Sequence, residues 1–404
     1  MGWYLLVMAV AAVLTAASVP PLRVLSRRWG ILAVPGDRTV HATPTPVLGG
    51  AALFIGLVGA LGVAMLLPEF EAVFDARTNV VGVIAAALVI WVTGLIDDVR
   101  DVSAPAKVAG MVLSGSLLTL VGLSIIYFRV PFLGFTVLPP DLSALITVLW
   151  VVGMANAVNL IDGLAAGIVA IGAGSFFLYG WRLLEEGVID PSNIGPLLAV
   201  ATVGICIGFL PFNFNPASIF MGDSGALLLG LLLSASTVAV GGQSDDPFSG
   251  QAWFFFAPLV IPLFILGVPL FDTVLAVIRR ATRRTGVATA DKEHLHHRLM
   301  DLGHGHPRTV VLLWAWTAVL SGFVLVPVFT GRGDAVVPIG LVALALLLFT
   351  LLAPRMRRGP GAASSESSGR GPSGPAPPDA EGLATAEVEA VPRSDGQHRV
   401  GVDP

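Results

Sequence analysis

Two adjacent carboxylates, Asp97 and Asp98, end a long apolar run (VVGVIAAALVIWVTGLIDDVRD), and a third, Asp101, follows them. At helical spacing Asp97 and Asp101 share a face, and Asp98 and Asp101 are neighbours on it. Carboxylates this close repel unless a cation or a proton lies between them. An Asp carried into a membrane helix costs roughly 2.5–3.5 kcal/mol. Asp97 and Asp98 therefore read as a divalent-cation or general-base pair. The plain alternative is a solvated acidic helix end, and it suits Asp101 equally well.

Four more polar islands carry the same kind of residue. In NFNPASIFMGDSGALLLG, Asp223 lies between Gly222 and Gly225 where a loop re-enters a helix. Glycine on both sides lets a metal or phosphate approach the backbone, and a helix N-terminus there would offer N–H groups to an anion. Asp223 is also a plausible N-cap. The G-D-S-G string resembles a serine-protease motif, but its place at a membrane helix removes that reading. In NAVNLIDGLAAG, the pairs Asn156 and Asn159, and Asn159 and Asp162, each share a helical face. Their carboxamides and carboxylate suit a uracil, sugar hydroxyls or the oxygen shell of a hard cation; polar glue between helices is the plain alternative. DKEHLHHRL holds His294, His296, His297 and Arg298, a Zn²⁺-like tract or an anion clamp, or else a solvated loop. PGDRTVHATPTPVLGG adds Arg38 and His41 in a Pro-rich loop before a Gly-Gly helix entry. Together the islands favour hard oxygen ligands, hence Mg²⁺ over Zn²⁺, and with the cationic side chains a phosphate substrate.

The segments that position these islands are apolar. The 404-residue chain is 55% hydrophobic and 12% charged, with mean hydropathy +0.83, whereas a soluble domain carries roughly 25% charge. Windows of the roughly 20 apolar residues needed to span a bilayer lie near 3–22, 48–67, 79–96, 108–126, 142–158, 164–182, 195–212, 224–241, 252–278, 309–329 and 335–353. The expected fold is an all-α integral membrane protein, a polytopic bundle of about eleven (ten or eleven) transmembrane helices with cytoplasmic catalytic loops. Strands of a barrel would alternate in polarity, and these runs do not. The domain expected is 1–354, followed by a disordered cytoplasmic tail, 355–404, rich in Gly, Pro, Ser, Ala and Glu. The single cysteine, Cys206, excludes a disulfide framework and a Cys-based metal site.

Each island is separated from the next by room for two crossings, so all five fall on one face. That face holds sixteen Lys and Arg, against four on the other (Arg77, Arg129, Arg182 and Arg332). The positive-inside rule makes it cytoplasmic and puts the N-terminus outside. The first segment lacks the basic n-region of a signal peptide and reads as an anchored helix. A site at this face implies a lipid substrate. No nucleic-acid partner is expected.

In order and topology, residues 1–354 resemble the polyprenyl-phosphate N-acetylhexosamine-1-phosphate transferases, a glycosyltransferase family of bacterial plasma membranes. HATPTPVLGG, GLIDDVRD, NAVNLIDG, FNFNPASIFMGDSG and HLHHRL look like the five cytoplasmic signatures of that family, and the HLHHRL form resembles its GlcNAc-transferring branch. The resemblance implies transfer of GlcNAc-1-phosphate from UDP-GlcNAc to undecaprenyl or decaprenyl phosphate, with release of UMP, to initiate a cell-envelope glycan. It implies Mg²⁺, with Mn²⁺ as the alternative, held by Asp223 with Asn159. Asp97, Asp98 and Asp162 would be catalytic, Asp98 as the base that deprotonates the lipid phosphate. Lys107 would neutralise phosphate. His294, His296, His297 and Arg298 would hold the pyrophosphate or sugar, with Asn156 and His41 also on the substrates. A homodimer among membrane lipids is expected.

The chain departs from the family pattern at three places. The third island reads DGLAAG where a longer DGLDGLAAG is usual, so Ala165 stands where a second Asp would align. Val47 stands where Arg is frequent, and Met111 where Gln is frequent. The same fold acting on UDP-MurNAc-pentapeptide is the second reading. A transporter or flippase is the third; one-sided clustering of the acids and the lack of an internal repeat weigh against it.

Overall fold

The computed structural model describes residues 1–33, 44–75, 77–130, 134–160, 165–241, 306–332, 334 and 336–357, with backbone alone at 77–78, 127–130, 134–136, 306–307 and 351–357. The expected window near 252–278 and the tail from 358 onward lie outside them. The described helices are α1 (Gly2–Trp29), α2 (Gly49–Ala64), the short α3 (Glu71–Asp75), α4 (Arg77–Arg100), α5 (Ala104–Leu120), α6 (Pro140–Asn159), α7 (Ala165–Glu185), α8 (Gly195–Asn213), α9 (Gly222–Gly241), α10 (His306–Thr330) and α11 (Val336–Arg357). Two antiparallel hairpins interrupt them. One pairs β1 (Leu32–Ala33) with β2 (Thr45–Pro46), Leu32 opposite Pro46; the other pairs β3 (Tyr127–Val130) with β4 (Gly134–Val137).

Seven of these helices (α1, α4, α6, α7, α8, α9 and α10) are long and apolar enough to cross a membrane, and α5 and α11 are shorter apolar helices. The chain is a polytopic helical membrane protein. Two windows differ from expectation. The run near 48–67 is not one straight span: α2 stops at Ala64 and the chain turns by 96° into a 3-10 turn, Pro68–Phe70, and α3. Pro68 forces the residue before it out of the helical region, and Leu67 is extended, with φ −99° and ψ 127°. α1 runs past its window through Arg23, Arg27 and Arg28, since long basic side chains let a helix continue into the interface. It ends at Gly30, whose φ of 69° is left-handed.

α9 is the centre of the bundle. Its residues from Ser224 to Val240 are buried, and α2, α4, α6, α7 and α8 pack around it, with α1 behind α2 and α8, and α10 against α7. Without a hydrophobic drive between helices in lipid, packing depends on close approach of small residues. A Cβ on Gly230 would fall 2.5 Å from the Cα of Ala155 in α6. Seven residues further along α9 and five back along α6, Trp150 Nε1 donates to Thr237 Oγ1 at 2.9 Å. These two contacts run in opposite directions along the helices, so α6 and α9 are antiparallel. The C-terminus of α6, with Asn156 and Asn159, thus shares an end of the bundle with the N-terminus of α9.

Candidate active site

That end is assembled from three islands tied to the start of α9. The carbonyls of Phe220 and Met221 accept from the amides of Gly49 (3.0 Å) and Gly50 (2.8 Å) at the start of α2, and Phe220 N donates to Pro46 O (2.8 Å). The loop between α8 and α9 is further held by Ser218 N to Phe212 O (2.8 Å) and Asn213 Nδ2 to Ile219 O (3.2 Å). α4 reaches the same point because Gly94 lacks a side chain: a Cβ there would lie 2.4 Å from the Cα of Ser224.

One turn beyond Gly94, Asp98 grips the terminus of α9. Asp223 N donates to its Oδ1 at 2.6 Å, and Ser224 N (3.1 Å) and Ser224 Oγ (2.6 Å) donate to its Oδ2. Gly222, at φ 68°, makes the turn that admits this carboxylate, and a Cβ on it would strike Asp98 Oδ1 and Oδ2 at 2.5 Å. This corrects two expectations. Asp223 is not the N-cap of its own helix; it lies inside the first turn, and the cap comes from Asp98 on another helix. The amides of residues 223 and 224 are also not free for a phosphate, because a carboxylate of the protein already takes the anion's place. Replacing Ser224 with Ala should lower stability by about 1 kcal/mol, one hydrogen bond's worth. Asp98→Ala strands all three donors and should cost about 2–3 kcal/mol. Thermal unfolding in detergent measures both, and equal losses would refute the cap.

Asp97 faces a different partner. Its Oδ1 accepts from Val102 N at 2.8 Å, and its Oδ2 meets the ammonium of Lys107 at 2.5 Å. The same ammonium is bonded to Asp223 Oδ2. Lys107 thus bridges two carboxylates from α4 and α9, with its own side chain only 20% exposed. Asp101 is not part of the cluster: α4 ends at Arg100, and Asp101 is exposed in the left-handed region, φ 41°, so it no longer shares a helical face with Asp97. Asp is among the few residues that tolerate this conformation.

Asn156 is half-buried on α6. Its Nδ2 donates to Val152 O (2.7 Å) and contacts Met111 Sδ (3.2 Å), one turn along α5 from Lys107. Asn159 is the last residue of α6, partly exposed at the same end. Asp162, His41, His294, His296, His297 and Arg298 lie outside the described residues. Two contributors escaped the sequence reading: Ser224, whose hydroxyl binds Asp98, and Gly94, which lets α4 touch α9. A serine placed directly after an acid in a Gly-bounded turn was the only signal for the first.

The donors fit a hard divalent cation. Asp97 and Asp223 aim carboxylate oxygens at one cationic point, and Asn159 adds a carboxamide at that end. Among the described residues no group of three or more His, Cys, Asp or Glu is arranged to hold a metal ion by itself, and the oxygens of Asp98 are engaged with α9. A cation there would complete its shell with substrate phosphate oxygens and water, as Mg²⁺ commonly does.

A polytopic bundle of apolar helices with an acid–lysine cluster at one end defines the class: a helical membrane protein. The chain belongs to glycosyl transferase family 4, whose sequence profile matches residues 80–241. It is 37% identical over 358 residues to a decaprenyl-phosphate N-acetylglucosaminephosphotransferase of Mycobacterium tuberculosis, covering 86% of this chain and 88% of the relative. It is 33% identical over 319 residues to a probable undecaprenyl-phosphate N-acetylglucosaminyl 1-phosphate transferase of Bacillus subtilis (78% and 81%). A phospho-N-acetylmuramoyl-pentapeptide-transferase of Staphylococcus aureus is 24% identical over 339 residues (79% and 96%).

Proposed function

We propose that this protein transfers GlcNAc-1-phosphate from UDP-GlcNAc to a polyprenyl phosphate, giving polyprenyl-diphosphate-GlcNAc and UMP, as the first step of a cell-envelope glycan. The observation that carries this reading is the convergence of Asp97, Lys107 and Asp223 at one end of the bundle. That is where a soluble nucleotide sugar can meet a lipid phosphate. The names of the mycobacterial and Bacillus relatives support the acceptor and the sugar.

In the reaction an oxygen of the lipid phosphate attacks the sugar-bearing phosphorus, a new P–O bond forms, and the P–O bond to UMP breaks. Such transfers depend mainly on positioning and charge neutralisation. Asp223, Asn159 and Asp97 would hold Mg²⁺ or Mn²⁺. When bound, the metal supplies charge stabilisation at the phosphates and the leaving group. Lys107 offsets phosphate charge. Asn156 lies where it can meet the donor's polar groups, and Asp162, His41, His294, His296, His297 and Arg298 complete the proposed substrate contacts. The resemblance gives Asp98 the part of base. Its oxygens already accept three hydrogen bonds, so we assign it instead to holding α9, and with it Asp223, in register.

The proposed topology has about eleven spans in the plasma membrane, the N-terminus outside, and the site and C-terminal tail in the cytoplasm, in keeping with the sixteen-to-four excess of basic residues. The test is mass identification of the lipid product formed by purified full-length protein from undecaprenyl or decaprenyl phosphate and a panel of UDP-sugars. A polyprenyl-diphosphate-N-acetylhexosamine from UDP-GlcNAc is expected. Product from UDP-MurNAc-pentapeptide alone would move the assignment to the muramoyl branch, and no product from any donor would overturn it.

A further inference from the structure

We propose that Lys107 is the resident counter-ion of the Asp97–Asp223 pair, and that a divalent cation and this lysine are alternative occupants of one position. The inference rests on the reading above only in taking the pair as the cation's seat. Its basis is geometric. A single ammonium bonds to Oδ2 of both carboxylates, which come from helices otherwise separated by 126 positions in sequence. No second cation shares the load among the described residues: the other ion pair there, Arg182 with Glu186, is a local pair at the C-terminal end of α7. Beyond the ammonium, Asp97 meets Val102 N and the carboxyl of Asp223 itself, so the two acids lie within hydrogen-bond reach of each other. Asp98 cannot help, since its carboxylate adds negative charge beside Asp223 and is spent on the helix cap.

The charge count gives the device its direction. With both acids ionised, one ammonium against Asp97 and Asp223 leaves a net charge of minus one, and a divalent cation in its place leaves zero. The displaced ammonium sits on a flexible four-carbon stem and is partly exposed, so it can turn toward solvent, where the diphosphate of a donor would bind. Cation entry thereby creates a free positive charge beside the phosphate position. In the absence of the cation, the lysine keeps two like charges from forcing α4 and α9 apart.

Mn²⁺ binding to purified full-length protein, followed by the electron paramagnetic resonance of free Mn²⁺ with no donor or lipid acceptor present, tests this. Lys107→Met should bind Mn²⁺ about tenfold more tightly than the unaltered protein, the low end of what a close charge pair contributes. It should also unfold at lower temperature in EDTA, with the difference closing as Mn²⁺ is added. Lys107→Arg keeps the charge in a fork that can grip both carboxylates. It should bind Mn²⁺ no better than the unaltered protein, and it serves as the charge-retaining variant should Lys107→Met fail to fold. Mn²⁺ affinity unchanged or weakened in Lys107→Met overturns the proposal, as does tighter binding in Lys107→Arg. Because no sugar or lipid enters the measurement, these outcomes are independent of whether the transfer reaction itself is the one proposed.

Discussion

Asp223→Asn should lower the rate of lipid-diphosphate-sugar formation by at least about 10²–10³-fold, the scale for removing one preorganised charge-stabilising group from an active site, and leave the fold intact. The substitution keeps the volume, and it keeps the backbone N–H that Asp98 accepts at 2.6 Å. It removes the charge that pairs with Lys107 and that a divalent cation would need. Asp97 still holds the lysine at 2.5 Å, so the assembly retains one of its two ion pairs. The measurement is initial rate against donor concentration, with gel filtration and thermal unfolding as checks on folding. Turnover within threefold of the unaltered protein would remove Asp223 from the cation site.

Gly94→Ala should be nearly as damaging to activity without touching any group that does chemistry. The added Cβ would lie 2.4 Å from Ser224 Cα and 2.5 Å from Ser224 N. Those are backbone atoms, so no side chain can swing aside. α4 and α9 must separate by about an ångström, at a cost of about 1–3 kcal/mol for overpacking. The same displacement pulls Asp97 and Asp98 away from Lys107 and the α9 terminus. A shift of that size at a positioned site can cost about 10²-fold in rate. Gly62→Ala is the matched control: nothing lies within 4 Å of a Cβ there, and both stability and rate should be unchanged. If the two variants behave alike, the close approach at Gly94 does not position the site.

How much of this was legible in the sequence depends on the range of the interaction. Apolar length and polar interruption are local properties, and they located the helices and the segments that meet at one end. The break after Ala64 was also local, written in Pro68, but a hydropathy window does not see it because Leu66, Leu67 and Pro68 are all apolar. For Asp101 the shared helical face fails because helical spacing was extended one residue past the end of α4, and the plain alternative, an exposed acidic helix end, is what the structure has. The capping of α9 was hidden for a different reason. The sequence offered Asp223 as a cap from within its own helix, while the carboxylate that does the work belongs to Asp98, 125 positions away. Nothing local to Gly222 and Asp223 distinguishes a helix capped from within from one capped across the bundle. The bridge from Lys107 to both acids is long-range in the same way.

The distance in sequence between Asp98 and α9 also orders events during synthesis. Chains emerge and insert from the N-terminus, so α4 enters the membrane with its acid pair long before residues 223 and 224 exist. Through that interval Asp98 has none of its three donors, and Asp97 has only the local Val102 N and the lysine that follows it on α5. Water at the membrane surface must solvate the pair until α9 arrives and closes the gap. Formation of the Asp98 contact is therefore a marker that insertion has proceeded as far as the ninth helix, and a chain that stalls earlier carries an uncompensated acidic helix end that distinguishes it from the finished protein.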